Sequence, residues 1–145
     1  MDKKRPTAQF PKASSVGERD WGEEILLVIS KGKFTMKKLK IKKGFSGGLQ
    51  YHRKKDEAAY VISGKLLVTY ANEKGVLIKK ELNEGSWLHF PNGSIHQETA
   101  LTDVELLEVS TPHFNDRVRV EEEFGLDPAR FNGLPSTKEN EIITK

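Results

Sequence analysis

From residue 24 to residue 110 the chain is cut into short apolar runs by Gly, Asn and Asp, and this punctuation leaves room for strands and little else. Ile25 to Ile29 is a compact apolar run. Phe34, Met36, Leu39 and Ile41 form the next, with a change of parity between 36 and 39 that predicts a bulge. Gly44, Gly47 and Gly48 turn the chain into Leu49 to His52. Ala58 to Ile62 is closed by Ser63-Gly64, and Leu66 to Tyr70 follows. Asn72-Glu73-Lys74-Gly75 reads as a hairpin turn into Val76 to Leu82. Turns at Asn83-Glu84-Gly85 and Pro91-Asn92-Gly93 lead into Trp87 to Phe90 and Ile95 to Glu98, and Val104 to Val109 is the last clear strand. Short strands at regular spacing, with almost no helical periodicity before residue 115, predict an all-β barrel or sandwich. Val118 to Phe124 fits either a short helix or a final strand.

A length of 145 residues suits one domain. The polar start, with Pro6 and Pro11, reads as an N-terminal arm over residues 1–20. The barrel is expected over 21–125, with a loose C-terminal extension over 126–145. The chain has no cysteine, which excludes disulfides, thiolate metal sites and cysteine nucleophiles, so any metal must be held by nitrogen and oxygen. Net charge is only +3, with 24 basic residues against 21 acidic ones. The densest basic stretch, Lys37 to Lys43, has apolar residues threaded through it and no stacking aromatics, so it reads as a strand with its lysines on a solvated face and not as a nucleic-acid groove. The basic N-terminus has no apolar stretch behind it and no run is long enough to span a bilayer, so a cytoplasmic location without secretory signal or membrane contact is expected.

Two blocks carry the chemistry. In the first, Gln50 and His52 lie two apart on one strand and project from the same face. Glu57 opens the next strand, and Gly64 closes it. The second runs from Gly85 through Pro91 and Gly93 to His96, delivered by a tight turn from a separate hairpin.

These blocks resemble the two cupin motifs, G-x5-H-x-H-x3,4-E-x6-G and G-x5-P-x-G-x2-H-x3-N. Gln50 stands where the first His is usual, and Ala100 where the final Asn is. The resemblance implies a single-domain double-stranded β-helix, the jelly-roll barrel of that superfamily. It narrows to the C-terminal cupin of type II phosphomannose isomerases and mannose-1-phosphate guanylyltransferases. That family reads R-P-W-G near its start, then L-Q-M-H-H-H-R-A-E-H-W, and closes with D-D-I-V-R-x-E-D-x-Y-G. Here the matching segments are Arg19-Asp20-Trp21-Gly22, Leu49-Gln50-Tyr51-His52-Arg53-Lys54-Lys55-Asp56-Glu57 and Asn115-Asp116-Arg117-Val118-Arg119-Val120-Glu121-Glu122-Glu123-Phe124-Gly125. It implies a metal site of Gln50, His52, Glu57 and His96 and a link to sugar phosphates or nucleotide sugars. The chain departs from the pattern where E-H-W becomes Glu57-Ala58-Ala59 and H-H-R becomes Arg53-Lys54-Lys55, and it is expected to act without a nucleotidyltransferase domain. Ala59 shares the parity of Glu57, so it is expected to face the barrel and enlarge the pocket.

Two imidazoles, a carboxylate and an amide oxygen also suit a metal on chemical grounds: one divalent ion, zinc first, with iron, manganese or nickel as alternatives. Glu98 shares the parity of His96, which makes it the candidate proton shuttle or an orienter of an imidazole. His89 reads as a structural or surface histidine, His113 as loop, and Trp21 and Trp87 as packing. Arg53, Lys54 and Lys55 read as a solvated turn at the mouth, with phosphate binding as the alternative, and Arg117 and Arg119 as ties to the barrel. The expected function is sugar or sugar-phosphate isomerisation, a proton moved between adjacent carbons while a metal stabilises the developing charge. The alternatives are another metal-dependent cupin enzyme (an oxygenase, epimerase or lyase) and a non-catalytic sugar-binding module. A small-molecule substrate is the expected partner. A homodimer is expected too, because an edge strand needs covering and the arm could reach across.

Overall fold

The computed structural model describes residues 4–113 and 116–127. Among the described residues eleven strands follow one another: β1 (Ser14–Arg19), β2 (Gly22–Ser30), β3 (Phe34–Ile41), β4 (Gln50–His52), β5 (Glu57–Ser63), β6 (Leu66–Ala71), β7 (Leu77–Leu82), β8 (Trp87–Phe90), β9 (His96–Ala100), β10 (Val104–Ser110) and β11 (Arg117–Arg119). A 3₁₀ turn over Glu121–Phe124 closes the described chain, so the stretch from 118 to 124 is part strand and part turn. The strands form two antiparallel sheets, one ordered β1-β2-β3-β10-β5-β8 and the other β11-β4-β9-β6-β7. This is the all-β jelly roll that the spacing and the resemblance imply. No helix among the described residues is long and apolar enough to cross a membrane.

Alternation along each strand decides what lies between the sheets. Val61, Leu66, Val68, Leu82, Phe90, Ala100, Val104 and Leu106 make one buried apolar cluster, with Leu39, Ile41, Tyr70 and Leu88 packed against it. Each buried Val, Leu or Phe side chain contributes about 1.5–3 kcal/mol by leaving water. Other buried positions are polar or charged, among them Thr35, Lys37, His52, Glu57 and His96. On β3 the buried residues at the other end are Thr35 and Lys37, while Phe34 is 42% exposed.

Two expectations change here. The bulge predicted in the second apolar run lies instead in β2, between Leu26 and Val28. β3 keeps one parity throughout against β10. Its inward face carries a threonine and a lysine, which the apolar pattern reads as outward. Secondly, residues 14–19, assigned to the N-terminal arm, pair with β2 as the edge of the larger sheet, and Val16 is buried. Backbone hydrogen bonds hold this strand, so Ser14 to Arg19 shows no apolar alternation. The C-terminal extension beyond residue 127 lies outside the described residues.

Gly64 makes the turn from β5 to β6 at φ +88°, and a Cβ there would sit 2.1 Å from the carbonyl oxygen of Asp103. Gly64→Ala therefore combines a left-handed backbone with a clash against main chain. A loss of about 2–4 kcal/mol is expected. Urea unfolding checks it, and a midpoint unchanged from the parent would rule it out.

Candidate metal centre

Three strands bring the donors together. Gln50 on β4 lies directly opposite His96 on β9. The amide of Gly93 donates to the carbonyl of His52 at 2.8 Å, which docks the Pro91–Gly93 turn on β4 and sets where β9 begins. Glu57, the first residue of β5, points its Oε1 at both imidazoles, 3.7 Å from Nε2 of His52 and 3.2 Å from Nε2 of His96. One donor atom from each of these three residues falls within 4.8 Å of the others, and all three side chains are buried. Gln50 adds a fourth group: its Oε1 is buried and has no hydrogen-bond partner. An acceptor left bare in this way costs about 1–3 kcal/mol unless something electropositive meets it.

The rings are oriented for ligation. Nδ1 of His52 lies 2.9 Å from Oδ1 of Asp116, and Nδ1 of His96 lies 3.0 Å from the carbonyl oxygen of Ser94. Both acceptors favour a proton on Nδ1, which leaves Nε2 of each ring to face Glu57. Phe90 stacks on the His96 ring at 3.8 Å and fixes its plane. Asp116 also accepts the backbone amides of Lys54 and Lys55 at 2.7 Å each. Burial acts to raise Asp116, but those amides and His52 outweigh it and hold the carboxyl below its usual range. The donor set and its tautomers fit a divalent ion.

Electrostatics in the metal-free state say the same. Burial would raise Glu57, yet Lys55 and the two imidazoles hold it well below the ordinary carboxylate range. Burial lowers His52. It acts to lower His96 as well, but the Glu57 carboxylate prevails and His96 is raised. The carboxylate that favours a proton on His96 would favour in the same way a cation shared by these groups.

A cavity of about 190 Å³ opens beside these groups, lined also by Glu98 on β9, Glu24 on β2, Lys37 on β3, Glu108 on β10, Lys55 and Arg117. Burial, then the nearby carboxylates of Glu57 and Glu108, push Glu98 up to about 8. Two lysines depart from the sequence reading. Lys37 is not on a solvated face but buried, 3.7 Å from Glu24. Lys55 turns in from the mouth to bridge Glu57 at 3.1 Å and Glu108 at 3.2 Å. Arg53 and Lys54 stay exposed. Ala59 is buried on the inner face, but the cavity lining does not include it. His89 bonds Asp56 at the surface, His113 bonds Thr111, and Trp87 is 78% exposed, whereas Trp21 lines the cavity. Sequence reasoning missed Asp116 as the partner of His52. The two lie 64 positions apart, and only the closing-segment resemblance marks that aspartate.

The family model described as cupin matches residues 8–129. A comparison with curated protein sequences finds no match. Among solved structures, the chain is similar to oxalate decarboxylase from Bacillus subtilis, with a TM-score of 0.64 and 22% identity over 88% of this chain and 39% of that one. It is similar to KdgF from Halomonas sp., with a TM-score of 0.61 and 20% identity over 76% of this chain and 98% of that one. It is also similar to the capsular polysaccharide assembling protein CapF from Staphylococcus aureus, with a TM-score of 0.62 and 17% identity over 75% of this chain and 32% of that one. At these identities the likeness is one of fold, and the chain spans well under half the length of oxalate decarboxylase and CapF.

Two outcomes follow from this geometry. Asp116→Ala frees the His52 ring, and zinc affinity is expected to fall about 10–100-fold. Calorimetric zinc titration of protein with an unchanged circular dichroism spectrum checks it, and equal affinity would refute the orienting role. For Glu98, the folded metal-free protein keeps the proton up to about pH 8, while the unfolded chain releases it in the ordinary carboxylate range. The unfolded state binds fewer protons across that window, so this group makes stability fall as pH rises through it. Glu98→Gln is expected to flatten that slope and to stabilise the metal-free protein at alkaline pH. Thermal unfolding across the window, with parallel profiles for the two proteins, would show otherwise.

Proposed function

The chain belongs to the cupin family, and on that premise we propose that it is a metal-dependent enzyme that moves a proton between adjacent carbons of a sugar, an aldose–ketose isomerase. One observation carries this reading: Glu98 lines the same cavity as the convergent donors of Gln50, His52, Glu57 and His96. A carboxyl placed there can take a proton from a bound molecule and return it.

Gln50, His52, Glu57 and His96 would hold the ion, with zinc first among the divalent candidates because two imidazoles and a carboxylate suit it. A divalent ion there supplies Lewis-acid stabilisation for the negative charge that develops next to a carbonyl as a C–H bond breaks. Everything else falls to the chain's own groups. Glu98 takes the proton from the carbon beside the carbonyl and returns it to the former carbonyl carbon, while the hydroxyl proton on the first carbon passes to the former carbonyl oxygen, so that the step balances. Lys55 grips Oε2 of Glu57 and leaves Oε1 toward the imidazoles. Leu39 and Ile41, packed against the apolar cluster, give the cavity an apolar side. A volume of about 190 Å³ suits one small polar molecule, well below the roughly 300 Å³ at which drug-sized pockets begin. The resemblance to type II phosphomannose isomerases motivates the reaction class. Lys55 is committed to Glu57 and Glu108, and Arg53 and Lys54 lie at the surface, so a free sugar is favoured over its phosphate.

The test has two arms. Elemental analysis of the purified protein is expected to find one equivalent of a divalent metal, lost in the Gln50→Ala/His96→Ala double variant. Incubation of the metal-loaded protein with aldoses in deuterium oxide is expected to give deuterium at the carbon beside the carbonyl, and none with Glu98→Gln. Equal metal in both proteins overturns the ligand set. Thermal stabilisation by sugars with no exchange would make the protein a binding module instead.

A further inference from the structure

The larger sheet packs one face on the core and leaves the other apolar and open. Strand register sorts its residues into rows. Leu39, Leu106 and Val61 stand side by side on β3, β10 and β5 and point inward. Successive rows alternate in direction, so the next row points outward. It runs Ile25, Lys38, Leu107, Tyr60 and Trp87. The following outward row runs Val28, Met36, Val109, Ala58 and His89. Eight of these ten side chains are apolar, where a solvated sheet face carries polar ones. Trp87 is 78% exposed and Tyr60 45%, and Val109 at the middle of the face is exposed as well.

Charge and area say what fits there. Lys38, the one cation in these two rows besides the histidine, pairs with Glu105 at 3.2 Å, and His89 bonds Asp56 at 2.8 Å. The centre of the face therefore offers no unmatched charge to a nucleic acid or a charged peptide. It also sets no like charges against an identical surface laid over it. Glu18, Glu23, Lys40 and Glu105 form a charged row along one margin. An apolar centre inside a polar margin is the anatomy of a protein interface. Strands about 4.8 Å apart and outward residues about 6.8 Å apart give the outward rows roughly 600 Å² in plan, and side-chain relief raises the accessible area above that. A stable interface takes about 800 Å² from each partner, so nearly the whole face is needed and nearly the whole face is available. Only a partner as broad and as flat covers it, and a second sheet of this kind is both.

We propose that a second copy of this chain docks on the outward face of the larger sheet, sheet against sheet about a twofold axis, with Leu107 and Val109 of β10 at the centre of the contact. The same patch then serves both copies. The contact is a sheet face, not an edge strand or the N-terminal arm, and it stands independently of the metal centre on the other side of the sheet.

The experiment is sedimentation velocity of the full-length chain at micromolar concentration. The parent is expected to sediment at twice the 16.4 kDa of one chain. Val109→Glu sets one carboxylate from each copy into the apolar centre. It is expected to raise the dissociation constant at least a hundred-fold, leaving a monomer with an unchanged circular dichroism spectrum. Trp87→Ser removes an exposed ring without touching the core, and at least a ten-fold rise is expected. A parent that sediments as a monomer overturns the inference. So does a dimer that dissociates no more readily in either variant than in the parent, because its contact then lies on an edge strand or on the arm. If Val109→Glu does not fold, the mass of the parent and the Trp87→Ser variant still decide.

Discussion

Glu57 is a buried carboxylate with both oxygens committed, Oε1 to two imidazoles and Oε2 to a lysine, and the charged end of the barrel is arranged around that requirement. An ionised carboxyl taken out of water costs several kcal/mol unless charge and hydrogen bonds replace its hydration. The replacements come from β4, from β9 and from the turn between β4 and β5. These segments must meet at one point, so the register that places Gln50 opposite His96 is fixed electrostatically as well as by backbone pairing.

The space between the sheets is divided between two kinds of chemistry. One part is aliphatic and aromatic, from Val61 to Leu106, and accounts for most of the burial that holds the barrel closed. The other is lined by paired charges and by an unpartnered amide oxygen. A single strand passes from one regime to the other: the inward positions of β3 run from Thr35 and Lys37 to Leu39 and Ile41. Well-packed apolar residues in place of a buried ion pair are often as stabilising or more so. The charged half therefore answers to function before stability.

What the sequence made legible follows from the same division. Strands at the apolar end announce themselves by alternation and by the glycine turns between them. Gln50, His52, Glu57 and His96 stand out because their spacing matches a two-block pattern, and the structure brings all four to one place. Lys37 and Lys55 do not stand out. A lysine at an inward position looks like a solvated one until the carboxylates opposite it are known, and Glu108 and Glu24 lie on other strands. The shifted bulge has the same origin, since the apolar residues of β3 change face where Lys37 turns inward. Asp116 is recognisable only as part of a closing segment, because a contact across 64 positions leaves no local pattern. The edge strand from Ser14 to Arg19 is held by main-chain bonds, which composition does not register.

The closing segment is clamped to β4 from both sides. Val120 donates its amide to the carbonyl of Leu49, and the buried Glu121 accepts the amide of Leu49 and pairs with Arg119. Gly48 leaves the room that the Arg119 side chain fills. Asp116 and Arg117 ride on this same short stretch, after every other residue of the centre in chain order. As the polypeptide emerges from the ribosome, the donors of β4, β5 and β9 are therefore made long before the aspartate that steadies one of them. Assembly of the centre therefore waits on residue 116, and a chain cut short before it would carry all four donors with one of them unsteadied.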